Sequence, residues 1–199
     1  MTPNTFVKHV GDQLGYRRDL DAKILQEANA VVRKLETDVR LSPVWFLKEL
    51  VGYVVNENTV GNGVEIGANW VEGVKYRNQA SPPLTETDYD TASRLVGTGR
   101  PTVYYKYGTK LYVAPTPDRE YALVLERTVE DDAILQNGEE TRWLRYAPYL
   151  VAAETGLIVA ESLHNDIARA FFLERLNDER SALVHQNSDR EAVLDALGG

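Results

Sequence analysis

The sequence predicts an α+β fold in which helices from both ends of the chain form one bundle and an antiparallel β-meander lies between them. Residues 3–38 and 141–186 carry apolar side chains at helical spacing, whereas the intervening part is rich in valine, tyrosine, glycine and proline. The predicted units are a helical bundle from residues 1–42 with 141–186, a β-rich insertion from residues 43–140, and a C-terminal segment over residues 187–199.

Two helices are predicted at the N-terminal end. The first begins at Pro3, a residue suited to an initial helical turn, and its pattern stops at Gly15. In the second, apolar residues recur at intervals of four, three and four and therefore share one face, namely Ile24, Ala28, Val31 and Leu35. Asp19 is expected to cap this helix, and Ser42-Pro43 to stop helical structure.

The middle of the chain predicts strands, and its clearest element is a hairpin over residues 104–113. Gly108-Thr109 separates two alternating runs, and glycine at the first central position is typical of a type II′ turn. A third strand, over residues 121–125, follows the sequence APTPD and completes a three-stranded meander. Residues 44–77 predict two or three further strands, and Thr87 or Asp88 could cap a short helix.

Alternation within the hairpin separates two faces. One face, called the tyrosine face here, consists of Tyr105, Tyr107 and Tyr112. The other face consists of Tyr104, Leu111 and Val113. Tyrosine combines a large contact area with a polar tip, which suits a half-exposed surface better than a sealed core. The tyrosine face is therefore expected to be a half-exposed surface or an interface.

Two more helices are predicted near the C-terminal end. Thr141 is expected to cap the first, whose apolar stripe is Leu150, Ala153, Leu157 and Ala160. Pro148 either kinks this helix or marks its true start. Asn165 or Asp166 is expected to cap the second helix, which carries Ala168, Phe172 and Leu176 at intervals of four. The apolar stripe from Ile24 to Leu35 is expected to pack against the stripe from Leu150 to Ala160.

Composition argues against several classes of function. The 199-residue chain has no cysteine, which excludes structural disulfides, thiolate nucleophiles and cysteine-bound zinc. A net charge of −8 argues against a surface that nucleic acid wraps. No apolar run approaches the length of a membrane span, and the N-terminus lacks the features of a signal peptide. A soluble protein without a membrane partner is expected.

No motif predicts catalysis, a metal site or a cofactor site. The sequences GNGVEIG and GTGRP lack the lysine and hydroxyl of a P-loop, and the acidic runs DYD and EDD lack the spacing of a calcium loop. His9, His164 and His185 lack His-x-x-x-His spacing, and no Gly-x-Ser-x-Gly sequence occurs. A carboxylate pair stays open, because 30 acidic residues always permit one. The chain is predicted not to be an enzyme.

Three stretches of the chain carry a resemblance to a known family. They are ILQEANAVVRKLETD followed by LSPVWFL, then RPTVYYKYGTKLYVAPTPDREYALVLER, then YAPYLVAAETGLIVAESLHNDIARAFFLERLNDERSAL. In this order they resemble tailed-bacteriophage head-to-tail adaptor proteins, the connector or head-completion subunits below the portal. The shared motif is a pattern of residue classes without an invariant catalytic group, and residues 54–80 match nothing in it.

The resemblance implies a structural virion protein in the neck between capsid and tail, synthesised in the host cytoplasm. It implies a ring of about twelve subunits that extends the DNA channel, with DNA only as passing cargo. The implied partners are the portal protein and a tail or nozzle protein, and Tyr105, Tyr107 and Tyr112 would then contact a neighbouring subunit or the tail. C-terminal segments of such adaptors insert between portal subunits, and here Val193, Leu194 and Leu197 would form one apolar face if helical.

Two other functions stay open at the level of sequence. One is a small hydrolase associated with a phage tail, which would need a pocket that holds titratable groups with shifted pKa values. The other is a generic α+β binding protein with a different partner. A closed ring, or binding to the portal, would distinguish the adaptor from both.

Overall fold

The chain forms two compact units, each with its own apolar core. The computed structural model describes residues 1–15, 18–38, 41, 44–66, 70–78, 81–130 and 140–198. Met1–Leu47 and Glu130–Gly199 form one unit, called the helical unit here, and Lys48–Val129 form the other, called the β unit. The fold class is α+β, as predicted.

The elements follow one another along the chain in two series. The helices are α1 (Pro3–Gln13), α2 (Asp21–Thr37), α3 (Glu57–Asn62), α4 (Tyr89–Ser93), α5 (Arg142–Tyr146), α6 (Pro148–Ser162) and α7 (Asp166–Gly198). The strands are β1 (Lys48–Val55), β2 (Val64–Glu65), β3 (Trp70–Tyr76), β4 (Thr85–Glu86), β5 (Thr98–Gly99), β6 (Val103–Tyr107), β7 (Lys110–Ala114), β8 (Thr116–Pro117) and β9 (Tyr121–Thr128).

The helical unit is built around α6. Helices α1, α2 and α7 all pack against it, and α1 also packs against α2. All four residues of the α2 stripe are buried, so the predicted packing of α2 on the helix over residues 150–160 is confirmed. The stripe predicted for α6 is too narrow, because this central helix is buried on nearly every side. Its buried residues are Leu150, Val151, Ala152, Ala153, Glu154, Thr155, Gly156, Val159 and Ala160.

Most predicted helix boundaries are confirmed by cap geometry. Leu144 N donates to Thr141 Oγ1 over 3.2 Å, Ala168 N donates to Asn165 Oδ1 over 3.1 Å, and α6 truly starts at Pro148. The predicted cap at Asp19 is wrong. A 3-10 turn over Arg18–Leu20 runs directly into α2, so Leu20 takes the N-cap position without a side-chain bond.

Helices α6 and α7 approach each other closely at Gly156. A Cβ atom placed on this glycine would lie 2.3 Å from the Cε1 and Cζ atoms of the Phe172 ring. Two residues before Gly156, the buried carboxylate of Glu154 accepts from Lys34 Nζ over 2.5 Å and from Arg180 over 3.0 Å. This ion-pair group ties α2, α6 and α7 together, because each helix contributes one member.

The β unit contains two larger sheets that share one core. Strands β1, β9 and β3 form an antiparallel sheet in that order, and β2, β7, β6 and β4 form a mixed sheet; β5 and β8 form a short parallel pair. The shared core consists of Val55, Ile66, Val71, Val74, Tyr76, Leu84, Tyr104, Leu111, Val113, Tyr121, Leu123 and Leu125.

The predicted hairpin is confirmed. The predicted third strand occurs as β9, with Tyr121, Leu123 and Leu125 buried, but its predicted place beside the hairpin in a meander is wrong. Gly108 has a φ of 60° while Thr109 does not have a positive φ, as a type II′ turn requires. Strand β9 does not pair with β7, and instead lies between β1 and β3. The cause is the Pro115-Thr116-Pro117 segment, because proline nitrogens cannot donate to a ladder. The chain there pairs with β5 and then crosses to the other sheet.

Candidate interaction surface

The tyrosine face occurs on the hairpin as predicted. Strands β6 and β7 pair with Tyr105 opposite Tyr112, and the two rings stack with centroids 5.1 Å apart and planes 9° from parallel. Tyr107 lies near the turn with 74% of its surface exposed. The three side chains therefore project from one side of a hydrogen-bonded ladder, which fixes their spacing.

A fourth tyrosine joins this face from a different element. Tyr89, the first residue of α4, contacts the Tyr105 ring edge-on at a centroid distance of 5.7 Å and is 62% exposed. Helix α4 is positioned by Asp88, whose carboxylate accepts from Thr91 N over 2.7 Å. This bond confirms one of the two caps predicted for the short helix. No sequence pattern predicted that Tyr89 would lie beside the hairpin.

The hairpin has a rigid base because its opposite face is core. Tyr104, Leu111 and Val113 are each at most 5% exposed. The Tyr104 hydroxyl donates to Glu86 Oε2 over 3.3 Å. Burial, and then the neighbouring Glu86 carboxylate, raise the pKa of Tyr104 to about 12. The buried hydroxyl therefore stays protonated far above neutral pH and keeps this bond.

Gly63 lies directly against Tyr112 of the tyrosine face. It has a φ of 65°, and a Cβ atom there would lie 2.8 Å from Cζ of Tyr112 and 3.1 Å from Cβ of Lys110. Lys110 Nζ also donates to the backbone oxygen of Asn62 over 2.8 Å. The end of α3 thus lies directly against β7. This glycine belongs to the GNGVEIG sequence, whose structural role is to permit this close approach.

The tyrosine face is polar at its tips, and Lys110 lies on the same side of the hairpin, opposite Tyr107. Burial, followed by the nearby hydroxyls of Tyr112 and Tyr89, raises the pKa of Tyr105. Each hydroxyl can therefore donate and accept a hydrogen bond, while each ring offers apolar area. Such a surface is suited to protein contact, because aromatic residues with a polar tip are enriched at interfaces.

The predicted portal-docking residues lie on α7. This helix continues without a break past Val193, Leu194 and Leu197, whose side chains lie outside the described residues. The start of the C-terminal segment contacts the helical unit. Asn187 Nδ2 donates to the oxygen of Leu41 over 3.2 Å, and Trp45 N donates to Asn187 Oδ1 over 3.4 Å.

Within the described ranges, no group of three or more histidine, aspartate or glutamate side chains could hold a metal ion. Of the EDD run, residues 131 and 132 lie outside the described part of the chain. Among the described helices, none is both long enough and apolar enough to cross a bilayer.

No protein-family model matches the chain, and no curated protein matches it either.

Proposed function

We propose that the chain is a structural virion protein that forms a ring adaptor between portal and tail and extends the DNA channel. The observation that carries this proposal is the tyrosine face, with Tyr105, Tyr107 and Tyr112 projecting from a hairpin whose other face is core. The resemblance of three stretches of the chain to head-to-tail adaptors supports the same function. The proposed partners are neighbouring copies in a ring of about twelve, the portal, and a tail or nozzle protein.

The geometry favours an interface because the rings are already held in place. Tyr105 stacks on Tyr112, and Tyr112 lies against Gly63, so little side-chain freedom remains to be lost on association. Tyrosines in such positions are frequent binding hot spots, each contributing on the order of 2 kcal/mol when a partner covers it. A repeated contact of this kind around a ring would make the assembly much stronger than a single contact.

Replacing Tyr105, Tyr107 and Tyr112 together with serine is expected to abolish ring formation or tail attachment while the isolated subunit stays folded. The change removes three exposed or half-exposed rings but leaves the core face of the hairpin intact. Native mass spectrometry gives the ring size, and thermal melting by circular dichroism reports the fold. The matched control changes the same three residues to phenylalanine, which retains the rings, and is expected to assemble. Unfolding of the serine variant would show that the three aromatic side chains belong to the core. Assembly of the serine variant into the same oligomer as the unmodified chain would contradict the interface.

A chain that ends at Asn187 is expected to keep its fold and to lose most of its affinity for the portal. The truncation removes Val193, Leu194 and Leu197, each of which contributes roughly 1.5 to 3 kcal/mol when fully buried by a partner. It retains Asn187, whose bonds to Leu41 and Trp45 belong to the helical unit. Co-sedimentation with portal particles measures the effect.

The control for the truncation is Asn187→Ala in the full-length chain. This change should lower the stability of the helical unit by about 1 kcal/mol, because two backbone groups lose their partner. It should leave portal binding unchanged. Equal portal binding by the truncated and full-length chains would mean that another surface holds the portal.

A further inference from the structure

The helical unit contains a cavity between α1, α6 and α7 that the proposed function does not use. Its volume is about 310 Å³, which falls at the lower end of the range for ligand sites. Ala152 and Ala153 on α6 and Phe172 on α7 line it, and all three are buried. The small alanines create the space, and the phenylalanine gives the cavity an apolar interior.

Aromatic side chains from all three helices surround this cavity. The His9 ring on α1 contacts the Tyr149 ring edge-on at 5.6 Å, and Tyr149 is 52% exposed. Phe171, on α7, is 37% exposed and contacts Phe172. Exposed aromatic rings around a concave site are more typical of a binding site than of ordinary surface. A flat ring would gain edge or face contacts with several of them.

The cavity also carries a cation without a carboxylate partner. Arg175 places its guanidinium 5.7 Å from the Phe171 ring centroid. Two other arginines of α7 form ion pairs, Arg169 with Glu161 and Arg180 with Glu154, whereas Arg175 forms none with the residues that the structure describes. Glu179 lies one turn further along α7 and lines the same cavity, yet it does not pair with Arg175.

We propose that this cavity binds an aromatic carboxylate. The ring occupies the space among Tyr149, Phe171 and Phe172, and the carboxylate pairs with Arg175 in a charge-assisted hydrogen bond. An amide N–H next to the carboxylate would face Glu179, which accepts hydrogen bonds. This ligand chemistry is found both in free aromatic acids and in a partner chain that ends in an aromatic residue. The site is independent of ring formation, so its test does not depend on the adaptor proposal.

The test compares N-acetyl-L-tryptophan with N-acetyl-L-tryptophanamide, which differ only in the carboxylate. Binding to the full-length chain is followed by chemical-shift changes of backbone amides. We expect the acid to bind about tenfold more tightly than the amide, a difference of one charge-assisted bond. Arg175→Met should remove this preference, whereas the control Arg169→Met, which changes an arginine of the same helix that does not line the cavity, should retain it. Phe171→Ala should weaken both ligands by a similar factor.

A tetrapeptide with a C-terminal tryptophan, and its amidated form, distinguish the two sources of the ligand. Tighter binding of the acid peptide than of N-acetyl-L-tryptophan supports a partner chain end, and equal binding supports a free small molecule. The proposal is overturned if neither tryptophan derivative binds at about 10 mM, a concentration that detects very weak sites. It is also overturned if the acid and the amide bind equally, or if Arg175→Met leaves the preference for the acid unchanged.

Discussion

Replacing Leu35 with aspartate is expected to destabilise the helical unit by more than about 5 kcal/mol. Leu35 is 1% exposed on the face of α2 that packs against α6. Loss of a buried leucine side chain alone costs about 2 to 5 kcal/mol, and an unpaired carboxylate in its place adds a desolvation penalty. Since domains are stable by only about 5 to 15 kcal/mol, most molecules should unfold at 25 °C. Urea unfolding followed by circular dichroism measures the change.

Gln26→Asp is the matched control for this prediction. It changes the net charge by the same amount on the same helix, but Gln26 is exposed. Its effect should stay within about 0.5 kcal/mol, as is usual at exposed positions. If Leu35→Asp cost less than about 1 kcal/mol, the packing of α2 against α6 described above would be wrong.

Gly156→Ala is expected to destabilise the same unit by about 1 to 2 kcal/mol, although alanine is the better helix former. The new methyl group would lie 2.3 Å from the buried Phe172 ring, so the ring or the helix must shift to make room for it. Overpacking of this kind costs roughly 1 to 3 kcal/mol, and more when the backbone must shift. The intrinsic gain of about 1 kcal/mol from glycine to alanine in a helix does not offset it.

Phe172→Leu separates the steric effect from any other effect of Gly156→Ala. The smaller side chain creates space beside α6, so the double variant should be more stable than the sum of the two single changes predicts. A coupling free energy of about 1 kcal/mol or more is expected from urea unfolding of all four chains. Strictly additive effects would show that Gly156 and Phe172 do not limit how closely the helices approach.

The parts of the fold that were predictable have causes that are local in the sequence. The spacing of Ile24, Ala28, Val31 and Leu35 determines which side of α2 is buried, and Gly108 determines the turn between β6 and β7. Caps such as Thr141 act within three residues. In each case the stabilising partner is a near neighbour in the chain, so the pattern is visible without the tertiary structure.

The pairing of β9 was not predictable in this way. Its partners are β1 and β3, which lie more than forty residues away along the chain. The alternation of apolar residues over positions 121–128 predicts which side chains face the core, but it does not predict which strand pairs with β9. The nearest strand in sequence, β7, is excluded only by the path that Pro115 and Pro117 impose.

The candidate sites were likewise predictable only where their causes are local in the sequence. The alternation of Tyr105, Tyr107 and Tyr112 predicted one surface, since residues on one strand face follow a period of two. The contributions of Tyr89 and Gly63 come from other elements and leave no pattern near the hairpin. The cavity was even less predictable, because His9, Tyr149 and Arg175 belong to three different helices and only the packing of these helices creates it.

The path of the chain between the two units has a consequence for synthesis on the ribosome. The β unit is continuous from Lys48 to Val129 and can fold as soon as it emerges, whereas α2 must wait for α6. At about 5 to 20 residues per second, the apolar face of α2 waits on the order of 10 s for α6 to be synthesised. During this interval the nascent chain exposes Ile24 and Leu35 beside an already folded unit. The earliest part of the chain is thus the last to be protected from aggregation.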